Sequence, residues 1–380
     1  MKTISLQNDF LELLKTQACK TRTPFPKMPV LIYGAGQMGA ESSKYLLASG
    51  IPVYAFLDKN PVMVGKRINN LPVIHPDQIT QEQKQNALFA IGVIKCSYNS
   101  IVKYLQSLGC QNICYVGHLV DSVHPRASIA NVWYFDNMTT QERDTLVRTF
   151  KTLHDDTSRA ALLQLLSWIK LGVERDDLPP VSSPEDKYFI PELTSKLTQH
   201  EVFIDCGAFN GSTIGRIDKR TNGHYEAIHA FEPEPSNYQL LLQARDANPN
   251  RDKIFTYPFG LGREDGNRNF TVGLGLTSRY SGTDPGIPIP MRRLDGVMKN
   301  TAYTVLKVYG LGIGWEVLEG SQATLRKYRP MITINIHHSR ADMVGIPQFM
   351  MTQLTHYRLF LRLHGYCGTE AVMYAIPEER

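Results

Sequence analysis

The sequence predicts an α/β chain: two doubly wound domains, each built on a parallel sheet, joined by a mainly helical connector. Three observations predict it. A strand, a GxGxxG turn, a helix and a second strand ending in an acid follow one another between residues 28 and 61. A second strand–glycine–helix–strand–acid run occupies residues 201–232. Between them, residues 139–177 show apolar spacing of helical period with few breakers. The 380 residues exceed what one core usually holds, which agrees with two domains.

In chain order, "MKTISLQNDFLELLKTQACK" reads as an amphipathic helix without the apolar core of a signal peptide. "MPVLIYGAGQMGAESSKYLLASGIPVYAFLDKNP" follows, with Gly34, Gly36 and Gly39 in the turn and Asp58 about 20 residues past the last glycine, as in a dinucleotide-binding unit. These glycines let the backbone approach a phosphate at the helix N-terminus, and Asp58 is placed for a ribose hydroxyl. The same glycines also serve a purely structural turn with close helix–strand packing, and the sequence leaves both readings open. "NALFAIGV" and "NICYVGHL" read as further strands, so this Rossmann-like domain spans residues 1–125. The helical connector spans 126–180, where Leu162, Leu165, Leu166 and Trp168 are expected in the core, and residues 181–380 form the second domain.

In that second domain "EVFIDCGAFNGSTI" carries Asp205, Gly207, Ala208 and Gly211, and the strand "YEAIHAFEPEP" ends in Glu232. An acid there binds two ribose hydroxyls in Rossmann-like nucleotide sites. D-x-G-A-x-x-G followed by F-E-P-x-P-x-N resembles the FkbM-type S-adenosylmethionine-dependent methyltransferase family. "PEDKYFIPEL", "MRRLDGV", "KYRPMITINIHHS" and "YRLFLRLHGYCGTEAVMYAIP" extend the resemblance over roughly residues 180–380. The resemblance implies a class I methyltransferase fold and S-adenosylmethionine as cofactor. It places Asp205, Gly207, Ala208, Gly211 and Glu232 around that cofactor, with Asn237 supporting the loop. It also implies O-methylation of a saccharide or small-molecule hydroxyl. "GKRINNLPVIHPDQI" resembles a connection in small Rossmann-like domains of sugar-modifying proteins, which implies a nucleotide or nucleotide-sugar as the N-terminal ligand.

One stretch departs from the family. In "LKVYGLGIGWEV" the alternating Gly310, Gly312 and Gly314 read by period as a strand bare on one face. The family's acid-rich D-x-E-G-x-E falls, without a gap, on Tyr309 through Gly314. Carboxylates at this strand end could serve as a base or hold a metal; Tyr309 is a poor base at an ordinary pKa of ~10. The candidates for holding the acceptor are therefore Lys307, Tyr309 and His338. At period two, only one of His337 and His338 is expected to face the pocket. Arg279, Arg292 and Arg293 are further candidates for an anionic or nucleotide-linked acceptor.

Two other readings stand beside methyl transfer. One is a catalytically degenerate methyltransferase fold that binds S-adenosylmethionine or a nucleotide-sugar. The other is an NAD-dependent oxidoreductase, disfavoured because no paired catalytic residues stand near Asp58. The net charge of +5 is not clustered, so no nucleic-acid partner is expected. No apolar run approaches the ~20 residues of a membrane span. Six scattered cysteines, with Cys110 and Cys114 as a lone CxxxC pair, suggest reduced thiols and no metal site. The expected location is cytoplasmic, and a homo-oligomer is an assembly the sequence leaves open.

Overall fold

The computed structural model describes residues 3–17, 28–124, 137–271, 279–280, 286–309 and 312–380. The N-terminal sheet contains β1 (Val30–Tyr33), β2 (Val53–Leu57), β3 (Arg67–Ile68), β4 (Leu71–Ile74), β5 (Leu88–Ile91) and β6 (Asn112–Tyr115). Its order is β3-β4-β2-β1-β5-β6, parallel except for the β3–β4 hairpin. Period-two alternation explains why β1 is apolar throughout. Val30 and Ile32 face one helical layer, and Leu31 and Tyr33 face the other. Those layers are α2 (Gln37–Ala48) with α5 (Val116–Val123) and α3 (Gln81–Asn86) with α4 (Tyr98–Ser107), all numbered after α1 (Thr3–Lys15). "NICYVGHL" is thus half strand and half helix.

The second sheet contains β7 (Val202–Cys206), β8 (Ala227–Phe231), β9 (Ile254–Tyr257), β14 (Val305–Val308), β15 (Met331–Asn335), β16 (Tyr357–Leu363) and β17 (Ala371–Pro377). Its order is β16-β17-β15-β14-β7-β8-β9, with β17 antiparallel to both neighbours. A small sheet of β10 (Gly260–Leu261), β11 (Gly266–Thr271), β12 (Arg279–Tyr280) and β13 (Ile287–Arg292) is inserted after β9. One face of the large sheet is covered by α8 (Pro191–Thr194), α9 (Ser212–Thr221) and α10 (Pro235–Asp246). The other carries α6 (Thr140–Thr152), α7 (Asp156–Leu171), α12 (Gly314–Glu319), α13 (Gln322–Tyr328) and α14 (Arg340–Gln353), numbered past the short α11 (Leu294–Val297).

One packing arrangement crosses the sequence-based boundaries. Helix α1 lies within 1–125, yet its apolar stripe of Leu6, Phe10, Leu13 and Leu14 packs on α6 and α7 over the C-terminal sheet. The buried Lys170 side chain fastens it, donating to the Leu13 and Leu14 carbonyls at 2.8 and 2.9 Å, which caps its last turn. Leu162, Leu165 and Leu166 are core residues, and Trp168 is buried too, in an aromatic cluster with Tyr98 and Tyr115 where the two sheets' layers meet. At that junction the Glu174 carboxylate accepts from the Tyr98 amide at 2.6 Å, and the Tyr366 amide donates to the Ile94 carbonyl at 3.0 Å.

Strand β14 ends at Val308, and Gly310 and Leu311 lie outside the described residues. Gly312 takes φ +89°, in the left-handed region, and turns the chain. Gly314 opens α12, where an added Cβ would sit 3.2 Å from both Ile334 and Ile346. From Gly312 on, the run is therefore a turn and a helix start closely packed on the sheet, and not a strand.

Candidate functional site

β7 and β14 are adjacent and parallel, and Asp205 pairs in register with Lys307, so the two side chains share a sheet face. The Lys307 ammonium donates to Asp205 Oδ1 at 2.6 Å and to the Gly207 carbonyl at 2.8 Å. Asp205 is 1 % exposed and its Oδ2 has no partner. Gly207 turns the chain at φ +73°; a Cβ there would lie 2.1 Å from the Tyr309 carbonyl oxygen, so only glycine fits. Gly211 starts α9 at φ +78°, with room for no side chain against Ala244. The Gly207 and Ala208 amides both donate to the Phe231 carbonyl at 3.0 Å, tying this turn to the end of β8.

Glu232 follows directly. Its Oε2 accepts from the Phe209 amide at 2.8 Å and its Oε1 from the Glu234 amide at 3.0 Å. Burial pushes this carboxyl up, and those two backbone bonds oppose the push. Each oxygen keeps a lone pair for a diol. Asn237 bonds the Glu234 carboxylate and braces the loop. The turn, the buried Oδ2 of Asp205 facing no donor, and Glu232 suit a ligand offering an ammonium group and a ribose. The residues present thus fit S-adenosylmethionine.

Beyond β14 and β15 lies a second polar group. The Tyr309 ring meets His338 edge-on at 5.1 Å, and the His337 and His338 rings are 4.1 Å apart. Both histidines lie past the end of β15, and they differ in partners: His337 is engaged by Ala371 and His338 meets Tyr309. His337 accepts the Ala371 amide at Nδ1, 3.2 Å away, and burial brings its pKa down to about 4. The two ring nitrogens of His338 are shielded from solvent and have no partner, and burial, with help from His337 and Lys187, keeps this ring neutral. Burial also raises the Tyr309 phenol above its ordinary value, so it remains a proton donor.

Four residues here had no role in the sequence reading. Tyr188 stands at φ +71° and donates its hydroxyl to Asn335 Oδ1 at 3.0 Å; Asn335 Nδ2 is buried without a partner. Lys187 pairs with Glu370, which enters from the β16–β17 turn. The Lys187 ammonium lies 5.0 Å from the Tyr309 ring centre, and that of Lys307 lies 5.7 Å from it on the same ring. Of the arginines, Arg292 bonds the Met291 carbonyl, the Arg293 amide donates to Asp265, and the side chain of Arg279 lies outside the described residues. Lys307, Tyr309 and His338 are thus gathered at one strand edge, but Lys307 is turned toward the cofactor turn and not toward an acceptor.

In the N-terminal domain Gly34 has φ +108°, and Gly39 has no room for a Cβ, which would stand 2.1 Å from the Gly34 carbonyl oxygen. A Cβ on Gly36 would meet nothing within 4 Å, so packing does not demand glycine there. Asp58 is engaged at both oxygens, by the Ala35 amide at 2.9 Å and the Asn60 amide at 2.8 Å.

Sheet order, the single antiparallel strand and the Asp205–Glu232 cradle define the second domain as a class I methyltransferase fold. Residues 205–367 match the methyltransferase FkbM domain family. The crystal structure of Methyltransferase FkbM from Methylobacillus flagellatus superposes with a TM-score of 0.69 over 99% of this chain and 100% of that one, at 16% identity. That likeness shows a shared fold across both domains. The N-terminal part is 37% identical over 68 residues to the redox-sensing transcriptional repressor Rex of Streptomyces avermitilis, a match covering 17% of this chain and 27% of that protein. The chain thus spans about a quarter of the curated relative it matches. Among the described residues no helix is long and apolar enough to cross a membrane. Cys96, Cys110, Cys114, Cys206 and Cys367 are free thiols, and Cys19 lies outside the described residues.

Proposed function

We propose that this chain is an S-adenosylmethionine-dependent O-methyltransferase acting on a hydroxyl of a saccharide or small molecule. The observation that carries the reading is the cradle: a glycine turn held against Tyr309, an unpartnered buried Asp205 oxygen and the strand-end Glu232. The FkbM family match supports it. When bound, the cofactor supplies an electrophilic methyl group on sulfonium, which the acceptor oxygen takes as its O–H proton leaves and the carbon–sulfur bond breaks. Asp205 and Glu232 bind and orient, and Lys307 fixes the turn by holding Asp205 and the Gly207 carbonyl together. His338 offers a neutral ring nitrogen to the acceptor hydroxyl, with Tyr309 as a hydrogen-bond donor beside it. Positioning carries much of the rate in such a displacement.

A second reading is favoured by one observation. Tyr309 stands where the family keeps an acid, and Lys307 is committed to Asp205. A protein that binds S-adenosylmethionine or a nucleotide-sugar without turnover would tolerate both. For the N-terminal domain, the open Gly36 position and the likeness to Rex support a nucleotide ligand at Gly34, Gly36, Gly39 and Asp58. Incubating the protein with S-adenosylmethionine and a panel of hydroxylated acceptors, and following product by mass, tests the enzyme reading. Methylated product is expected; binding without product across the panel would favour the second reading.

A further inference from the structure

The β16–β17 turn is built around one carboxylate. Glu370 stands at φ +55°, a conformation that side chains rarely adopt, and Cys367 shares it at φ +55°. Gly365 makes room for it, because a Cβ there would lie 2.9 Å from Glu370 Cγ. The turn is also anchored to the N-terminal domain through the Tyr366–Ile94 bond, and it packs closely on α7 at Gly368, where a Cβ would lie 2.6 Å from the Trp168 ring. A strained, largely covered acid held this firmly needs a reason beyond packing. Its partner Lys187 is itself partly desolvated, which lowers its pKa, while Glu370 opposes that shift. For Glu370, burial alone would raise the carboxyl; Lys187 and His337 outweigh it and hold the group ionised.

Resting on the methyltransferase reading above, we propose that Lys187 and Glu370 are the positioning pair of the acceptor site, holding the Tyr309 ring and His338 in place so that His338 receives the hydroxyl proton. They stand in for the strand-end acid that Tyr309 replaces. The geometry runs from Glu370 to its ion-pair partner Lys187, from Lys187 across the Tyr309 ring at 5.0 Å, and from that ring to His338 at 5.1 Å, with the His337 ring 4.1 Å from that of His338. The charged and titratable groups around His338 are Lys187 from the segment before α8, Tyr309 past β14, His337 beside it and Glu370 at the foot of β17. Lys307 stands behind Tyr309, already paired with Asp205. In the transfer the acceptor O–H bond breaks, its proton passes to a His338 ring nitrogen, and the freed oxygen pair forms the bond to the incoming methyl.

The test needs no acceptor. Histidine-labelled protein is titrated by NMR from pH 3 to 8, with His338 assigned through His338→Gln. In the unmodified protein His338 stays neutral through the usual histidine range and protonates only toward the acid end. In Lys187→Met, loss of the cation moves its midpoint up by about one pH unit or more, the size of a single charge acting over several ångströms in a protein interior. Lys187→Gln, which keeps a donor for Glu370, gives the same upward shift and guards against misfolding of the first variant. In Glu370→Gln the ring stays neutral. Identical His338 titrations in all variants, or a shift in Glu370→Gln as large as in Lys187→Met, would overturn the proposal. Failure of S-adenosylmethionine to bind would count against the function but would leave this readout intact.

Discussion

Replacing Lys307 with methionine separates a role in holding the cofactor turn from one in holding the acceptor. The ammonium makes two charge-assisted bonds, at 2.6 Å to Asp205 and 2.8 Å to the Gly207 carbonyl, and Asp205 is 1 % exposed. Removing one partner of such a pair leaves the other buried without compensation, which costs about 3–5 kcal/mol. In a domain of roughly 200 residues that corresponds to a fall in Tm on the order of 10 °C. Because the same ammonium fixes the Gly207 turn, the Kd for S-adenosylmethionine should rise about tenfold or more, a loss of roughly 1.4 kcal/mol. The double variant Lys307→Met, Asp205→Asn should recover much of the stability, since no buried charge is left unpaired. Differential scanning fluorimetry and isothermal titration read both effects. A Tm and a Kd within error of the unmodified protein would refute the claim that Lys307 holds the cofactor turn.

Other outcomes follow from the same contacts. Gly207→Ala drives a Cβ to 2.1 Å from the Tyr309 oxygen at a positive φ, so cofactor affinity should be lost along with at least about 1 kcal/mol of stability, by titration and thermal unfolding. Tyr309→Phe keeps the ring against His338 and removes only the hydroxyl; the acceptor KM should rise about tenfold while cofactor Kd stays constant, measured by steady-state kinetics. Asp342, fully buried at the start of α14, is raised by burial from the ordinary carboxyl value to about 6. The native state therefore binds its proton more tightly than the unfolded chain does, and stability rises as pH falls from about 6 toward 4. Asp342→Asn should remove that slope and add on the order of 3 kcal/mol at pH 8, read from chemical denaturation at several pH values.

Much of the fold was legible because its signals are local. Strand, turn and helix follow each other within twenty or so residues at Gly34–Asp58 and Asp205–Glu232, and apolar periodicity marks the elements between them. The cradle was legible for the same reason. The second polar cluster was not. Lys187 and Glu370 lie in unrelated segments, and only the antiparallel β17 brings Glu370 beside the end of β15. Its left-handed backbone carries no glycine or asparagine to signal it. Period-two reasoning misjudged the glycine run, because Tyr309 and the residues from Gly312 on lie past Val308, the last paired residue of β14. The docking of α1 on α6 and α7 was equally out of reach, since an amphipathic stripe shows that a helix packs, not on what.

The central claim is that the Asp205–Gly207–Glu232 cradle binds S-adenosylmethionine, and isothermal titration of the full chain with and without Asp205→Ala tests it most directly. The account predicts one binding event per chain, lost or weakened at least tenfold in Asp205→Ala. No heat of binding in the unmodified protein, or equal affinity in both, would contradict it.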